Sequence, residues 1–184
     1  MKVITGTAKG KPLKTLEGAD IVSPTAQKVK EGIFSSIQFN VPGARVLDLF
    51  AGSGQLGIEA LSRDASLCVF VDQSREAANT VIENLKYTNL FTKARVITSE
   101  ATRYLSFCKD EFDIVFIDPP YRKELVDEVM PLVGEIIAED GIVICETELR
   151  KELEECYGAL TLAKKYKYGK TLIWRYQINS EAGE

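Results

Sequence analysis

The chain has 184 residues, 45% of them hydrophobic and 27% charged, with no histidine and a formal net charge of −4. That length and apolar share suit one domain with a real core, while the missing histidine excludes Ser-His and Cys-His couples and any imidazole-bound zinc. Cys68, Cys108, Cys145 and Cys156 form no CxxC pair, Met1–Pro12 lacks an apolar stretch, and no run of about 18 apolar residues occurs, so a cytoplasmic protein with reduced, mostly buried thiols and no membrane span is expected.

In chain order, residues 1–20 read as a short β-ribbon turning at Gly6, Gly10 and Gly18, and Thr25–Phe39 as a leading helix. From Ala44 onward, β-branched apolar runs alternate with amphipathic stretches. The spacing predicts strands at Ala44–Leu49, Leu67–Asp72, Ala94–Ile97, Asp113–Ile117 and Gly141–Glu146, with helices over about 54–63, 74–87, 100–107 and 122–138. A further helix is expected near 148–157, then a hairpin of Leu160–Tyr168 and Thr171–Gln177 around Gly169-Lys170. Alternation of this kind implies right-handed βαβ units. The expected fold is α/β and Rossmann-like, a doubly wound, mostly parallel seven-stranded sheet with a C-terminal antiparallel hairpin strand. An N-terminal extension (1–40) precedes the main domain (41–184), the whole forming one compact unit.

Charge is unevenly spread. Residues 1–30 carry +4, residues 161–177 carry +5 and the remainder −13. Two basic ends on an acidic body could grip a polyanion, although charge alone favours a plain solvated surface.

Ligands of open α/β sheets bind beyond the carboxyl ends of the strands. After the first strand comes Asp48-Leu49-Phe50-Ala51-Gly52-Ser53-Gly54-Gln55-Leu56-Gly57. Its glycines allow a tight turn and close backbone approach under a helix N-terminus. Asp72 ends the second strand, suited to the two hydroxyls of a ribose; Glu100 follows the third, and Asp118-Pro119-Pro120-Tyr121 the fourth. Together these suggest a pocket for a nucleoside-containing cofactor. Gly52, Gly54 and Gly57 also spell GxGxxG, so a dinucleotide-binding module is an alternative. Asp48 beneath the loop suits a cationic amine better than a pyrophosphate. In the tetrapeptide, two prolines stiffen the chain and present the Asp118 carboxylate and Pro119 carbonyl as acceptors for an exocyclic amine, and Tyr121 offers a stacking face for the base.

With VLDLFAGSG and DPPY in place, the chain resembles the class I S-adenosylmethionine-dependent methyltransferases that modify exocyclic amines. More narrowly it resembles the RsmD family of 16S rRNA guanine-N2 methyltransferases over about residues 3–177. The likeness includes Ile4-Thr5-Gly6 with Lys11-Pro12-Leu13, Ser23-Pro24-Thr25 leading to Val29-Lys30-Glu31, Asp118-Pro119-Pro120-Tyr121-Arg122, and Tyr168-Gly169. Ser23 stands where the family usually has Arg, and Glu100 where it usually has Asp.

The resemblance implies S-adenosyl-L-methionine as cofactor, S-adenosyl-L-homocysteine as product and no metal. Asp48, Phe50, Ala51, Gly52 and Gly54 would hold the methionine end, Asp72 and Gln73 the ribose, and Glu100 and Ala101 the adenine. Asp118, Pro119 and Tyr121 would hold the target guanine. Thr25, Pro120, Lys9, Lys11, Lys14, Lys164, Lys165, Lys167 and Lys170 would contact 16S rRNA, free or in an assembling subunit; the oligomeric state is left open by the sequence, with a monomer favoured. The motif alone leaves DNA adenine or another RNA as alternative substrates.

Overall fold

A computed structural model describes residues 1–16, 24–120 and 123–178. Helix α1 (Pro24–Ser36) precedes a βα series: β1 (Arg45–Leu49), α2 (Gln55–Ser62), β2 (Leu67–Asp72), α3 (Arg75–Thr88), β3 (Ala94–Thr98), α4 (Ala101–Phe107), β4 (Phe112–Ile117), α5 (Lys123–Val133) and β5 (Ile137–Glu148). The short β6 (Cys156–Tyr157) then leads into β7 (Leu160–Tyr168) and β8 (Thr171–Ile178). All form one sheet in the order β3-β2-β1-β4-β5-β8-β7-β6. Pairing is parallel from β3 through β5 and antiparallel from β5 through β8, β7 and β6.

Alternation along the strands explains the two cores. Val46, Phe70, Phe116, Ile144 and Ile173 face α1, α2 and α3, while Leu47, Val69, Val115, Val143 and Trp174 face α4 and α5. A sheet covered on both faces needs apolar residues at consecutive positions, which is the pattern of β1, β2 and β4. Ser74 caps α3 by accepting from the Ala77 amide, and Asn89 ends it in the left-handed conformation.

Four expectations need correction. The sheet has eight strands, not seven, because the two-residue β6 extends the edge beside β7. No helix forms at 148–157. Backbone groups there are spent elsewhere: Leu149 N–H donates to Lys170 O, Glu154 N–H to the Tyr157 hydroxyl, and Glu155 O accepts from Leu162. The helix expected over 122–138 stops at Val133, after Pro131 has removed a donor and before Gly134, and the strand begins at Ile137 rather than Gly141. Of the cysteines, Cys68 and Cys145 are buried, Cys108 is half-buried and Cys156 is exposed.

The N-terminal ribbon reduces to a single bridge, Lys2 with Pro12. Its turns at Gly6 and Gly10 have φ of 88° and 82°; Gly18 lies outside the described residues. Val3, Ala8 and Leu13 are buried in the same core as α1 and α2. Gly6 is required there twice over, since a Cβ would stand 1.7 Å from the Ser62 carbonyl oxygen.

Candidate active site

Sheet order reverses between β1 and β4, which sends the connections from β1 and β4 to opposite faces and leaves a crevice at their carboxyl ends. A cleft of about 840 Å³ opens there, lined by residues 50–53 after β1, by Asp72 and Gln73 after β2, by Ser99–Thr102 after β3, and by Asp118, Pro119 and Pro120 after β4. Four separate strand ends thus bring their polar residues to one cavity. Tyr121 lies outside the described residues.

The glycine loop is held in an unusual path. Phe50 has φ of 67°, a conformation costing a side-chain-bearing residue about 1–2 kcal/mol. The amides of Phe50 and Ala51 both donate to Val71 O at 3.0 Å, which fixes that turn. A Cβ on Gly57 would lie 2.3 Å from the Phe70 ring, so this glycine lets α2 press against β2. Asp72 accepts from the Gly52 amide at 2.9 Å through one oxygen and from the Ser74 amide at 2.8 Å through the other. It therefore braces the loop while leaving lone pairs toward the cleft. Glu100 is exposed at the mouth and starts α4 beside Ala101.

Asp48 is buried beneath the loop and accepts from the Gly57 amide at 2.9 Å. Burial pushes its carboxyl up to about 8, against the pull of that hydrogen bond and with help from Asp118 and Asp72. Burial also raises Asp118 to about 6. Glu146 on β5 rises to about 8 through burial and the charge of Asp118. Three carboxyl groups around one cleft make it a place for cations and hydrogen-bond donors.

The shift of Asp48 carries a stability consequence. Its folded value lies above the unfolded one, so between pH 4 and about 8 the folded chain holds a proton that the unfolded chain has released, and stability falls as pH rises through that window. Thermal unfolding of the ligand-free protein at pH 5.5 and 8.5 should show a lower midpoint at the higher pH. Asp48→Asn, whose amide oxygen can still accept from Gly57, should show a smaller drop. An equal drop would remove Asp48 from the effect.

Three site residues escaped the reading of the sequence. Gln55 lines the cleft with a buried Oε1 that has no hydrogen-bond partner among the described residues. Asn84 of α3 donates to Ser53 O and Lys14 O and accepts from the Lys14 amide, tying the loop to the N-terminal segment. Glu146 gave a strand signal but no motif.

The lysines do not form one patch. Lys165 pairs with Glu152 and lies 4.0 Å from the Trp174 ring, whereas Lys164 lies over Tyr166, which packs toward the opposite face. Lys167 is exposed on β7. Lys170 reaches the cleft rim from the β7–β8 turn. Lys14 pairs with Glu83 at 2.7 Å, Lys11 lies over the Tyr87 ring and Lys9 is exposed. Thr25 is the second residue of α1, with its side chain outside the described residues.

The family model "Conserved hypothetical protein 95" matches residues 1–177. The chain is 30% identical to the Escherichia coli protein named Ribosomal RNA small subunit methyltransferase D, over 98% of this chain and 91% of that one. It belongs to this family, the RsmD family of methyltransferases. The methyltransferase is also 42% identical to the Bacillus subtilis protein named "Putative rRNA methyltransferase YlbH", covering 96% of this chain and 98% of the other. A solved Escherichia coli structure described as "Putative methyltransferase yhhF" superposes with a TM-score of 0.86 at 30% identity, covering 98% of this chain and 99% of that one.

Proposed function

We propose that the methyltransferase transfers a methyl group from S-adenosyl-L-methionine to the exocyclic N2 amine of a guanine in small-subunit rRNA, acting in the cytoplasm. The reading is carried by one juxtaposition: the glycine loop, Asp72 and Glu100 line the same cleft as Asp118 and Pro119. The names of the relatives supply the substrate class.

The residues fit the cofactor. The orphaned Gln55 Oε1 and the buried Asp48 below the loop suit an ammonium group, and the loop amides not engaged by Val71 or Asp72 suit its carboxylate. Asp72 and Gln73 would hold the ribose, and Glu100 with the Ala101 amide the adenine. The bound group supplies an electrophilic sulfonium methyl. Asp118 and the Pro119 carbonyl then have two tasks. They orient the amine and accept hydrogen bonds from its N–H groups, which stabilises the positive charge developing on nitrogen until the surplus proton is released to water. The target base must leave its stack to reach them. Thr25, Pro120 and the lysines of the N-terminal segment and the β7–β8 hairpin would contact the RNA backbone. A dinucleotide module is disfavoured by the carboxyl of Asp48 under the loop.

Asp72→Ala should weaken S-adenosyl-L-homocysteine binding by about 1–3 kcal/mol, as for a lost charged hydrogen-bond partner. Calorimetry on wild type and variant measures this, and unchanged affinity would end the ribose role. Nucleoside mass spectrometry of rRNA incubated with enzyme and cofactor tests the reaction itself. New N2-methylguanosine supports the proposal; methyladenosine alone, or no product, refutes it.

A further inference from the structure

We infer that Glu146 is a specificity-determining residue that accepts a hydrogen bond from the ring imino N1–H of the target guanine, beside the amine held by Asp118 and Pro119. This rests on the guanine-N2 reading proposed above and adds to it the means by which guanine is told from adenine.

The placement comes from the sheet. Phe116 of β4 pairs in register with Ile144 of β5, and both pack into the same core layer. Asp118 and Glu146 stand two positions beyond each, so they emerge side by side from adjacent parallel strands. Both line the cleft. The charge of Asp118 is felt at Glu146, as its raised carboxyl shows. Among the described residues the Glu146 carboxylate has neither a hydrogen bond nor an ion pair. Its oxygens open onto the cleft, where a bound ligand can donate to them.

The chemistry of the base matches this pair of acceptors. Guanine presents the amine and the N1–H next to each other, an uninterrupted row of donors. Adenine and cytosine present a bare ring nitrogen beside their amine, which is an acceptor. Burial and Asp118 hold Glu146 near 8, so above that pH it is ionised and only accepts. Facing guanine, Asp118, Pro119 and Glu146 are all satisfied. Facing adenine, Glu146 would meet a lone pair. Discrimination by unpaired polar groups of this kind is effective where the bound base keeps water out.

The test uses the full enzyme with synthetic rRNA fragments that carry at the target position either guanosine or 2-aminopurine riboside, which keeps the 2-amine but lacks the N1–H. Single-turnover methyl transfer by the wild type at pH 8.5, above the Glu146 value, should favour guanosine roughly tenfold to a hundredfold, the range for one good base-edge contact. In Glu146→Gln the amide can accept from N1–H or donate to a bare nitrogen, so that ratio should shrink toward one. Affinity for S-adenosyl-L-homocysteine should stay at the wild-type value, which shows that the variant is folded. A preference unchanged in Glu146→Gln, with wild type active on guanosine, overturns the role of Glu146 alone. A wild type that methylates neither fragment but does methylate adenine in RNA overturns the guanine reading and this inference with it.

Discussion

Asp118→Ala should lose about a hundredfold to a thousandfold in single-turnover methyl transfer, equivalent to about 2.7–4 kcal/mol, the usual cost of removing one group that stabilises developing charge. Asp118→Asn should lose clearly less. The geometry favours an acceptor role: Asp118 leaves β4 into the cleft, directly ahead of a Pro-Pro pair that fixes its direction. An amide oxygen can still accept a hydrogen bond from the amine, and an alanine methyl cannot. Burial holds the Asp118 carboxyl near 6, so it is ionised at neutral pH and available as an acceptor. Both variants should bind S-adenosyl-L-homocysteine as the wild type does, because the proposed role of Asp118 is toward the base and not the cofactor. Equal losses in the two variants would mean that charge or proton removal matters more than acceptance. Full activity of Asp118→Ala would take the tetrapeptide out of the chemistry.

The parts of this site that could be read from the sequence are those where one residue type has one local use. Glycines at 52, 54 and 57 after an apolar strand imply a tight strand-to-helix turn, and the structure places φ of 54° and 76° at the first two. An acid at the end of a strand, as at Asp72, is placed by the strand itself. β2 could be bounded to the residue for the same reason, since a buried parallel strand is apolar throughout and stops at its first charge.

What stayed hidden depends on contacts between distant segments. Glu146 lies in a plain alternating strand, and only the parallel register of β5 with β4 brings it beside Asp118. The segment at 149–155 has a helical composition, but pairing with β7 and β8 uses its backbone. Likewise the lysines of β7 look like one cluster in sequence. Strand alternation divides them between two faces, and that division cannot be seen from charge counts.

The largest stability effect should come from a residue that looks like ordinary helix surface. Glu59 sits in α2 between Ile58 and Ala60 and is fully buried. Its carboxylate accepts from the amides of Ile4 at 2.8 Å and Thr5 at 3.0 Å, and from Arg63 Nε at 2.9 Å. It also pairs at 3.1 Å with Lys30, which is 2% exposed and donates to Lys2 O. One side chain therefore fastens the N-terminal segment and α1 onto α2. Burial lowers the pKa of Lys30, and the attraction of Glu59 works against that shift. Removing Glu59 would leave two backbone donors without their acceptor and a buried ammonium with the Lys2 carbonyl but no counter-charge. Glu59→Ala should cost about 3–5 kcal/mol, as for breaking a buried ion pair from one side. Against a total of about 5–15 kcal/mol for a typical domain, that is a large share. Lys30→Met should cost less, because Glu59 keeps Arg63 and both amides and the methionine fills similar space. Adding Lys30→Met to Glu59→Ala should recover part of the loss by removing the stranded charge. Urea unfolding of the four proteins measures all of these terms, provided that the slopes agree. A cost for Glu59→Ala below that of Lys30→Met would show that the cation, not the carboxylate, holds the network together.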